Sequence, residues 1–348
     1  MKTPLRALVS SLLLAASLSA APASTSGTAQ AAAEVEGLPE VLPETCYLFS
    51  YFKGKGQDGL HLAWSADGYT WKAVPGGPRL SPLLGDKIFR DPCIRQGPDG
   101  VFHMVWTASW TNKGFGHASS TDLVTWSEQQ FVPAMEHEPA TQNVWAPELH
   151  LDEKTGEWLI IWSSTITERF KDTDPKVAEG GAAKVWNHRL YATTTRDWKS
   201  FTPTTLFYDD GYSVIDALIV PVKDRFAMVV KDERLEPEPA KDLRIAWGRS
   251  LTGPFGPSAP SFSRSLVPSW VEGPALLQVG AKWFLYADVY KDKHYVLLTT
   301  TDFASWTDET KALSYPAGLR HGTAFAVKAS VLRGLFKAVE TTAPAKAK

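Results

Sequence analysis

Three carboxylates stand at the entrances of short apolar segments that are far apart in the chain. Asp91, Asp216 and Glu272 each lie within two residues of a Pro or Ala that opens such a segment. Carboxylates that converge in a partly desolvated pocket raise one another's pKa, so one can stay ionised while another holds a proton. That division of roles suits hydrolysis of a glycosidic bond, in which one carboxylate activates water and the other protonates the leaving oxygen.

A structural explanation competes with the chemical one. Asp residues are common in the turns at strand entrances, where the side chain bonds to backbone N–H groups. That explanation is sufficient for any one of these carboxylates taken alone. It is a weaker explanation for three carboxylates that each begin a separate segment of the same form. The repeated placement favours a shared catalytic centre.

Two further stretches have the same form, so the chain contains five of them. Residues 145–149 read Trp-Ala-Pro-Glu-Leu and residues 320–325 read Arg-His-Gly-Thr-Ala-Phe, beside 89–94, 214–219 and 271–276. Each combines a polar group with small residues and a short apolar run. We interpret the five stretches as the innermost strands of one closed ring, each presenting one functional group to the centre.

A repeated turn predicts how the strands around that centre are grouped. Asp67, Asp122, Asp197 and Asp302 each precede an aromatic residue by four positions, and they are 55, 75 and 105 residues apart. The Asp side chain can bond backbone N–H groups of the turn while the aromatic residue packs between sheets. Units of about 50 residues with four short strands are typical of propeller blades.

The interval of 75 residues contains an insertion, and the interval of 105 residues contains two units. The chain therefore has five blades. We therefore predict an all-β fold, a five-bladed β-propeller closed by pairing of N- and C-terminal strands in one blade. Residues 46–75 would supply the outer strands of that blade and residues 321–327 its inner strand. Such closure removes the exposed edge strands of an open sheet. Two polar insertions, 167–188 and 233–242, are predicted to be surface loops.

The chain ends are predicted to lie outside the propeller domain, which we assign to residues 38–335. Residues 1–37 combine a basic start, an apolar run too short to span a bilayer and a small-residue region, which indicates a signal peptide and flexible leader. The protein is therefore expected to be secreted or periplasmic. Residues 336–348 are predicted to form a disordered tail.

The overall charge excludes some partners. A net charge of −2 offers no basic field for nucleic acid or for an anionic membrane, and we expect neither as a partner. We expect a monomer. The two cysteines leave two alternatives open, a disulfide between Cys46 and Cys93 or two separately buried thiols. A bridge requires Cα atoms within ~7 Å of each other, which the sequence does not report.

Five motifs, in the same order, resemble those of glycoside hydrolase family 43, whose five-bladed inverting enzymes include arabinofuranosidases, xylosidases, arabinanases and galactofuranosidases. The resemblance covers about residues 45–328. The matching motifs contain Asp91, Trp145, Asp216, Glu272 and His321. Two features differ from the usual pattern: Glu148 stands where many members have Asp, and a three-strand segment precedes the blade with the Asp-Pro motif.

The resemblance implies direct displacement with inversion at the sugar carbon. Asp91 would be the general base that takes a proton from water. Glu272 would be the general acid, at a carboxyl separation of ~6.5–9.5 Å from the base. Asp216 would modulate the pKa of the acid and keep it protonated near neutral pH by like-charge repulsion.

Other polar and aromatic residues are candidates for binding the sugar. The predicted substrate-binding residues are Arg90, Trp110, Trp145, Glu148, Lys231, Trp270, Arg320 and His321. The three cations would offset the negative potential and bond hydroxyl groups, and Glu148 would be a fourth carboxylate facing the pocket. The three Trp residues, with Phe89, would wall the pocket, although blade packing explains each aromatic residue equally well.

His321 has several interpretations, and they determine whether a metal is expected. Its ring would hold a water on the propeller axis, ligate a Ca²⁺ ion there, or satisfy carbonyl groups of the inner strands. Ca²⁺ needs oxygen-rich ligation, and no acidic run of that kind is visible in the sequence. We expect the water-mediated role and no required cofactor, with axial Ca²⁺ as the alternative.

The resemblance implies a glycosidase acting on polysaccharides or oligosaccharides, most simply an α-L-arabinofuranosidase that removes terminal sugars. β-Xylosidase and galactofuranosidase activities are alternatives, and a non-catalytic carbohydrate-binding propeller is a further one. Retaining five-bladed fructosidases share an Arg-Asp-Pro motif, but their Asn-Asp-Pro-Asn nucleophile motif is missing from residues 45–75. Sialidases share the Asp turns but require six blades and a cluster of three arginines.

Overall fold

The computed structural model describes residues 37–170, 173, 186–267 and 270–342. Nineteen strands, a short 3-10 helix at Thr310–Ala312 and one C-terminal α-helix form the secondary structure of these residues. The elements are β1 (Thr45–Phe52), β2 (His61–Ser65), β3 (Lys72–Ala73), β4 (Arg90–Gln96), β5 (Phe102–Thr107), β6 (Phe115–Ser120), β7 (Gln130–Val132), β8 (Trp145–Asp152), β9 (Glu157–Ser164), β10 (Arg189–Thr195), β11 (Thr205–Tyr208), β12 (Val214–Val222), β13 (Arg225–Asp232), β14 (Asp242–Gly248), β15 (Val271–Val279), β16 (Lys282–Val289), β17 (His294–Thr300), β18 (Thr307–Asp308), β19 (Arg320–Lys328) and α1 (Ala329–Thr342).

The strands form five antiparallel sheets, which are the blades of a five-bladed β-propeller. Blade 1 is β4–β7, blade 2 is β8–β11, blade 3 is β12–β14 and blade 4 is β15–β18. Blade 5 has the order β19-β1-β2-β3. The inner strands β4, β8, β12, β15 and β19 contact one another in sequence, and β19 returns to β4. The predicted fold is confirmed.

Blade 5 joins the two ends of the described chain. β1 pairs with β19 in antiparallel register, from Thr45 opposite Lys328 to Ser50 opposite Thr323. The Ser50 hydroxyl donates a hydrogen bond to the Pro92 carbonyl of blade 1 at 2.6 Å, so the closing strand is also tied to its neighbour. The predicted closure by N- and C-terminal strands is confirmed.

The apolar core lies between the blades rather than at the axis. Five clusters of buried side chains are each shared by two neighbouring blades. Phe89 belongs to the cluster between blades 5 and 1, where its ring stacks on Trp106 with centroids 4.4 Å apart. Phe89 therefore packs in the core and does not wall a pocket.

The four predicted Asp turns have the expected hydrogen bonds. In the turn after β6, Asp122 Oδ1 accepts hydrogen bonds from the backbone N–H groups of Val124 and Thr125 at 2.8 and 2.7 Å. The Ser120 hydroxyl accepts one from the backbone N–H of Leu123 at 2.8 Å. Asp67, Asp197 and Asp302 repeat the pattern. These turns fix the crossing from the third strand of a blade to its outer edge.

Each inner strand carries a β-bulge at the same level, and this feature positions the functional groups. Two residues there oppose one residue of the neighbouring strand. The bulged pairs are Asp91-Pro92, Ala146-Pro147, Asp216-Ala217, Gly273-Pro274 and His321-Gly322. Pro suits the second position because a bulged residue need not donate to the ladder.

The first bulged residue has a left-handed backbone in four of the five strands. Its φ is +51° at Asp91, +48° at Ala146, +54° at Asp216 and +57° at Gly273. We call these four residues and His321 the bulge ring. The residues just before them, Arg90, Trp145, Ile215, Glu272 and Arg320, form the pre-bulge ring. A bulge re-aims side chains beside it, so both rings present groups to one end of the axis.

The C-terminal boundary differs from the prediction of a disordered tail from residue 336. Helix α1 runs to Thr342, and Leu332, Leu335 and Phe336 are buried against the cluster between blades 5 and 1. An apolar stripe at helical spacing gives the helix a partner surface. Residues 343–348 and the predicted signal peptide, up to residue 36, lie outside the described residues. No helix in the described ranges is long and apolar enough to cross a membrane.

Four histidines, three of them buried and His103 half-buried, make the fold sensitive to acid. His103 Nδ1 lies 3.2 Å from His117 Nε2, and both rings stack on Trp198. Burial lowers the pKa of His103 to about 4 and that of His117, His150 and His188 to about 3. Because the unfolded chain takes up these protons near pH 6.5, the free energy of unfolding should fall as pH drops from 6.5 toward 3, by up to ~1.4 kcal/mol per histidine and pH unit.

This acid sensitivity is measurable as a fall in the thermal midpoint between pH 7 and pH 4.5. Replacing His117 by Gln should flatten the fall, because the residue no longer gains a proton on unfolding. The matched control is Gln at the exposed His137, which should leave the slope unchanged. A midpoint that stays constant or rises on acidification would contradict the assignment.

Candidate active site

A cavity opens at the end of the axis where the two rings lie, and it encloses about 620 Å³ when the open space at its mouth is included. The lining residues are Arg90, Asp91, Thr107, Trp110, Trp145, Ile215, Asp216, Lys231, Glu233, Glu272, Tyr290 and His321. The three predicted catalytic carboxylates are among them, although they come from blades 1, 3 and 4. Four carboxylates and three basic side chains are among the lining residues.

Asp91 is fixed on two sides. The Thr107 hydroxyl donates a hydrogen bond to Asp91 Oδ2 at 2.8 Å, and His321 Nδ1 lies 3.3 Å from Asp91 Oδ1. Burial alone would raise the pKa of Asp91, but the adjacent His321 imidazolium, with Arg90 and Thr107, outweighs it and brings the pKa to about 2. Asp91 is therefore an ionised carboxylate at any pH near neutrality.

His321 carries the positive charge that lies between two carboxylates. Its Nδ1 lies 3.3 Å from Asp91 Oδ1 and 3.9 Å from Asp216 Oδ2. Burial alone would lower the pKa of His321, but the charge of Asp216 and the bond to Asp91 raise it to about 9. These three members of the bulge ring thus form a compact charge cluster, with a protonated imidazole as its centre.

Asp216 has a different environment from Asp91. Burial raises its pKa to about 6; the charges of Glu272 and Asp91 act in the same direction, and those of His321 and Lys231 oppose them. Asp216 Oδ2 accepts a hydrogen bond from the backbone N–H of Gly273 at 3.0 Å. Because Gly273 follows Glu272, this bond fixes Asp216 relative to the strand that carries Glu272.

Gly273 must be a glycine for two reasons. Its φ is +57°, and a Cβ there would lie 2.5 Å from the His321 ring. L-residues are strained at this φ, and no side chain fits so close to a ring. Gly273 thereby lets the imidazole approach the two aspartates. Glu272 is therefore followed by a glycine because any larger residue at position 273 would collide with His321.

Glu272 lies between two cations. Lys231 Nζ is 3.2 Å from Glu272 Oε2, and Arg320 Nη2 is 3.1 Å from Glu272 Oε1. Lys231 is buried in the second strand of blade 3, and Arg320 belongs to the pre-bulge ring. The predicted cations Lys231 and Arg320 therefore meet the carboxylate directly, although Arg320 does not itself line the cavity.

One wall of the cavity is aromatic. The Arg90 guanidinium lies 4.5 Å from the Phe52 ring centroid and 4.8 Å from that of Trp110. Trp145 Nε1 donates a hydrogen bond to the Trp110 carbonyl at 3.2 Å, and the two rings meet edge to face. Trp110 is 40% exposed, which is rare for so large an apolar side chain here. The predicted positions of Arg90, Trp110 and Trp145 in the pocket are all observed.

Glu148 does not face the cavity as predicted, because the bulge displaces it. It follows the pair Ala146-Pro147 and so lies one layer deeper, at the level of Cys93 and Thr323. Its Oε2 accepts a hydrogen bond from Cys93 Sγ at 3.0 Å, and burial raises its pKa. Glu148 is 5% exposed and belongs to a polar layer below the pocket.

The cysteines are separate thiols. Cys93 contacts Glu148, whereas Cys46 pairs with Val327 at the far end of blade 5 and its thiol reaches the Pro43 carbonyl. Both are free and buried. Of the two alternatives left by the sequence, the structure supports the buried thiols.

Trp270 and the two insertions also differ from expectation. Trp270 stands outside the cavity lining, with its ring 6.0 Å from that of Tyr290, which does line it, and beneath Lys291 Nζ. The insertion 233–242 is not wholly a surface loop, because its first residue, Glu233, lines the cavity. Most of 167–188 lies outside the described residues.

Sequence reasoning missed Glu233, Tyr290 and Thr107. Each directly follows or ends a second strand, just before the chain leaves the blade. Their position in the blade was the one feature that could have identified them. The end of the second strand of a blade lies at the same end of the axis as the start of its inner strand. A rule based on inner strands alone could not find them.

Asp91 and Asp216 are the carboxylates next to His321 on the axis. In the ranges that the structure describes, no group of three or more His, Cys, Asp or Glu side chains is placed to hold a metal ion. An axial Ca²⁺ would take most of its six to eight oxygen ligands from water there, and the water-mediated role of His321 and the Ca²⁺ alternative both stay predictions.

Solved structures similar to this chain include several glycosidases. An α-L-arabinofuranosidase from Lactobacillus brevis shares 17% identity over 64% of this chain and 72% of its own, with a TM-score of 0.49. For a xylan β-1,4-xylosidase from Bacillus halodurans the identity is 16% over 66% of this chain and 42% of its own, with a TM-score of 0.47. For an arabinanase from Bacillus subtilis it is 12% over 65% and 77%, with a TM-score of 0.43.

A search of curated proteins found no match. A family model matches residues 43–331, which is most of the chain and the whole propeller; it describes a probable glycosyl hydrolase domain related to family 43. The chain therefore belongs to the family 43-related glycosyl hydrolases.

Proposed function

We propose that the protein is a secreted inverting glycoside hydrolase that removes terminal α-L-arabinofuranosyl groups from plant-type polysaccharides or oligosaccharides. The observation that carries the proposal is the meeting of Asp91, Asp216 and Glu272 in one cavity, in three different electrostatic environments. Glycoside hydrolysis by inversion needs carboxyl groups with separate roles.

In the proposed reaction Asp91 is the general base. Its carboxylate stays ionised beside His321 and therefore can accept a proton from a water molecule at all working pH values. Thr107 and His321 hold both of its oxygens, so the carboxylate is oriented before substrate arrives. Orientation of this kind converts an encounter with water into a positioned attack on the sugar carbon.

Glu272 is the proposed general acid and Asp216 its modulator. The backbone bond from Gly273 fixes Asp216 close to the acid, and its negative charge, when present, favours a proton on Glu272. The acid donates that proton to the glycosidic oxygen as the bond breaks, and the product leaves with inverted configuration. Lys231, Arg90 and His321 are proposed to bind hydroxyl groups.

The sugar specificity is supported by the resemblance and by the aromatic wall. Trp110 and Trp145 offer flat apolar surface for a sugar face, and the other lining residues include four carboxylates and three basic side chains. One-sided stacking with many hydrogen-bonding groups suits a single terminal sugar, hence exo action. We propose action without a cofactor and as a monomer, with the signal peptide in residues 1–37 directing export.

The test is hydrolysis of nitrophenyl α-L-arabinofuranoside, β-xyloside and β-galactofuranoside by the purified protein, with release of nitrophenol measured. We expect a clear preference for the arabinofuranoside. Proton NMR of the fresh product from an arabino-oligosaccharide should show the inverted anomer first.

Three other outcomes would change the proposed substrate, mechanism or function. Preference for the xyloside or galactofuranoside would replace the substrate and keep the mechanism. Retained configuration would overturn the roles of Asp91 and Glu272. Binding of arabinan or xylan without hydrolysis of any donor would favour a carbohydrate-binding propeller.

A further inference from the structure

The two cations that contact Glu272 are each shared with a second carboxylate. Lys231 Nζ lies 3.2 Å from Glu272 Oε2 and 2.9 Å from Glu233 Oε2. The Arg320 guanidinium lies 3.1 Å from Glu272 Oε1 and also bonds Asp288 Oδ2. The same arrangement therefore occurs on both sides of Glu272, built from different blades.

Glu233 is held firmly where it meets Lys231. Lys241 Nζ lies 2.7 Å from its other oxygen, Oε1, and the backbone N–H of Glu233 donates to the Ser213 carbonyl at 2.9 Å. The Lys241 carbonyl in turn accepts hydrogen bonds from the backbone of residues 270 and 271 at 2.8 and 3.1 Å. The connection 233–241 thus joins the entrance of β12, which carries Asp216, to that of β15, which carries Glu272.

Asp288 is held equally firmly on the other side. It lies directly opposite Glu272 in the β15–β16 ladder and is 2% exposed. Two carboxylates in facing positions repel each other unless a cation lies between them. Arg320 is that cation, and it reaches both from β19 of the next blade.

The sharing of each cation between Glu272 and a second carboxylate bears on proton transfer. A carboxylate that alone contacts two cations is stabilised as an anion and resists protonation. A second carboxylate on each cation offsets its charge and weakens that stabilisation. The two cations orient the Glu272 side chain through contacts with both of its oxygens.

We propose that Glu233 and Asp288 are positioning residues that share Lys231 and Arg320 with the general acid Glu272, so that its carboxyl can regain a proton in each turnover. This inference rests on the proposed function, in which Glu272 is the acid. It adds two residues that the sequence motifs do not contain. The charged and titratable groups facing Glu272 from the surrounding strands are Asp216, Lys231, Asp288, Tyr295, Arg320 and, through Lys231, Glu233.

The test is the pH profile of kcat/KM for Glu233→Gln and Asp288→Asn on an arabinofuranoside. Removing either negative charge leaves its cation to act on Glu272 alone, so the alkaline limb should move to lower pH, on the order of one unit. Lys231→Met should move it to higher pH. The matched control is Glu238→Gln, an exposed residue of the same connection, which should leave the limb in place.

The position of a limb does not depend on the fraction of folded enzyme when that fraction is constant across the alkaline pH range, which circular dichroism at each pH checks. A limb that coincides with wild type in both carboxylate variants, or moves to higher pH, would overturn the proposal. A purely structural role for Glu233 or Asp288 would change stability and leave the limb unmoved.

A second readout separates this inference from the proposed function. With ¹³C-labelled Glu carboxyl groups, NMR follows the titration of Glu272 directly, and Glu272→Gln identifies its signal. In Glu233→Gln the midpoint of that signal should fall by the same amount as the limb. If the wild type hydrolyses no glycoside, the proposed function fails, yet this titration still decides whether the shared cations control Glu272.

Discussion

Replacing Asp91 by Asn is expected to lower kcat/KM by about 10³–10⁴-fold on every glycoside that the enzyme accepts. The amide keeps the shape of the side chain and can still accept the Thr107 hydrogen bond, but it cannot take a proton from water. Because the attacking water needs the base whatever the leaving group, activated and unactivated donors should lose equally. Steady-state kinetics on a nitrophenyl donor and on a natural oligosaccharide measure this.

Asp99→Asn is the matched control for Asp91. Asp99 is exposed in the turn at the other end of the same β4–β5 hairpin, and its side chain bonds only local backbone in the described contacts. That variant should keep wild-type kinetics. A loss of less than about tenfold in folded Asp91→Asn, on all donors, would remove the base assignment.

Replacing Glu272 by Gln is expected to produce a loss that depends on the leaving group. A natural oligosaccharide releases an alcohol that needs a proton, so kcat/KM should fall by about 10²–10⁴-fold. A dinitrophenyl donor releases a stable anion, so its loss should be much smaller. The measurement is the ratio of the two losses, obtained from the same protein preparation.

The ratio also cancels any difference in folded fraction between preparations. Equal losses on both donors would show that Glu272 acts by another route, for example by positioning the sugar with Lys231 and Arg320. Lys231 and Arg320 contact different oxygens of Glu272, so the carbonyl oxygen of Gln can accept from one of them while its amide nitrogen faces the other.

The sequence was sufficient to predict the ring and the three carboxylates. The reason is local: the Asp turns and the residue pairs ending in Pro are imposed by backbone geometry, and their spacing counts blades directly. Pro92, Pro147 and Pro274 occupy equivalent bulge positions, so a motif visible in the chain corresponds to one level of the structure.

The residues that were misplaced or missed depend on geometry that spacing does not carry. Glu148 stands two positions after Ala146, and the bulge between them moves its side chain below the pocket. Glu233 and Asp288 lie on or just after second strands, where the sequence has no motif. Glu233 reaches Glu272 through Lys231 of blade 3, and Asp288 reaches it through Arg320 of blade 5, relations that appear only when the blades are assembled.

The pairing of β1 with β19 determines when, during folding, the charges of the pocket are neutralised. His321 lies on the strand that follows all others in the described chain, and it neutralises Asp91 and Asp216 from two other blades. Until the ends of the chain meet, these aspartates lack their counter-ion. Pairings this distant in sequence form slowly, because a long loop must close before contacts reward it. The ion pairs of His321 should therefore form only when the ring closes. A protein whose chain is cut between two blades should lose these ion pairs before it loses its secondary structure.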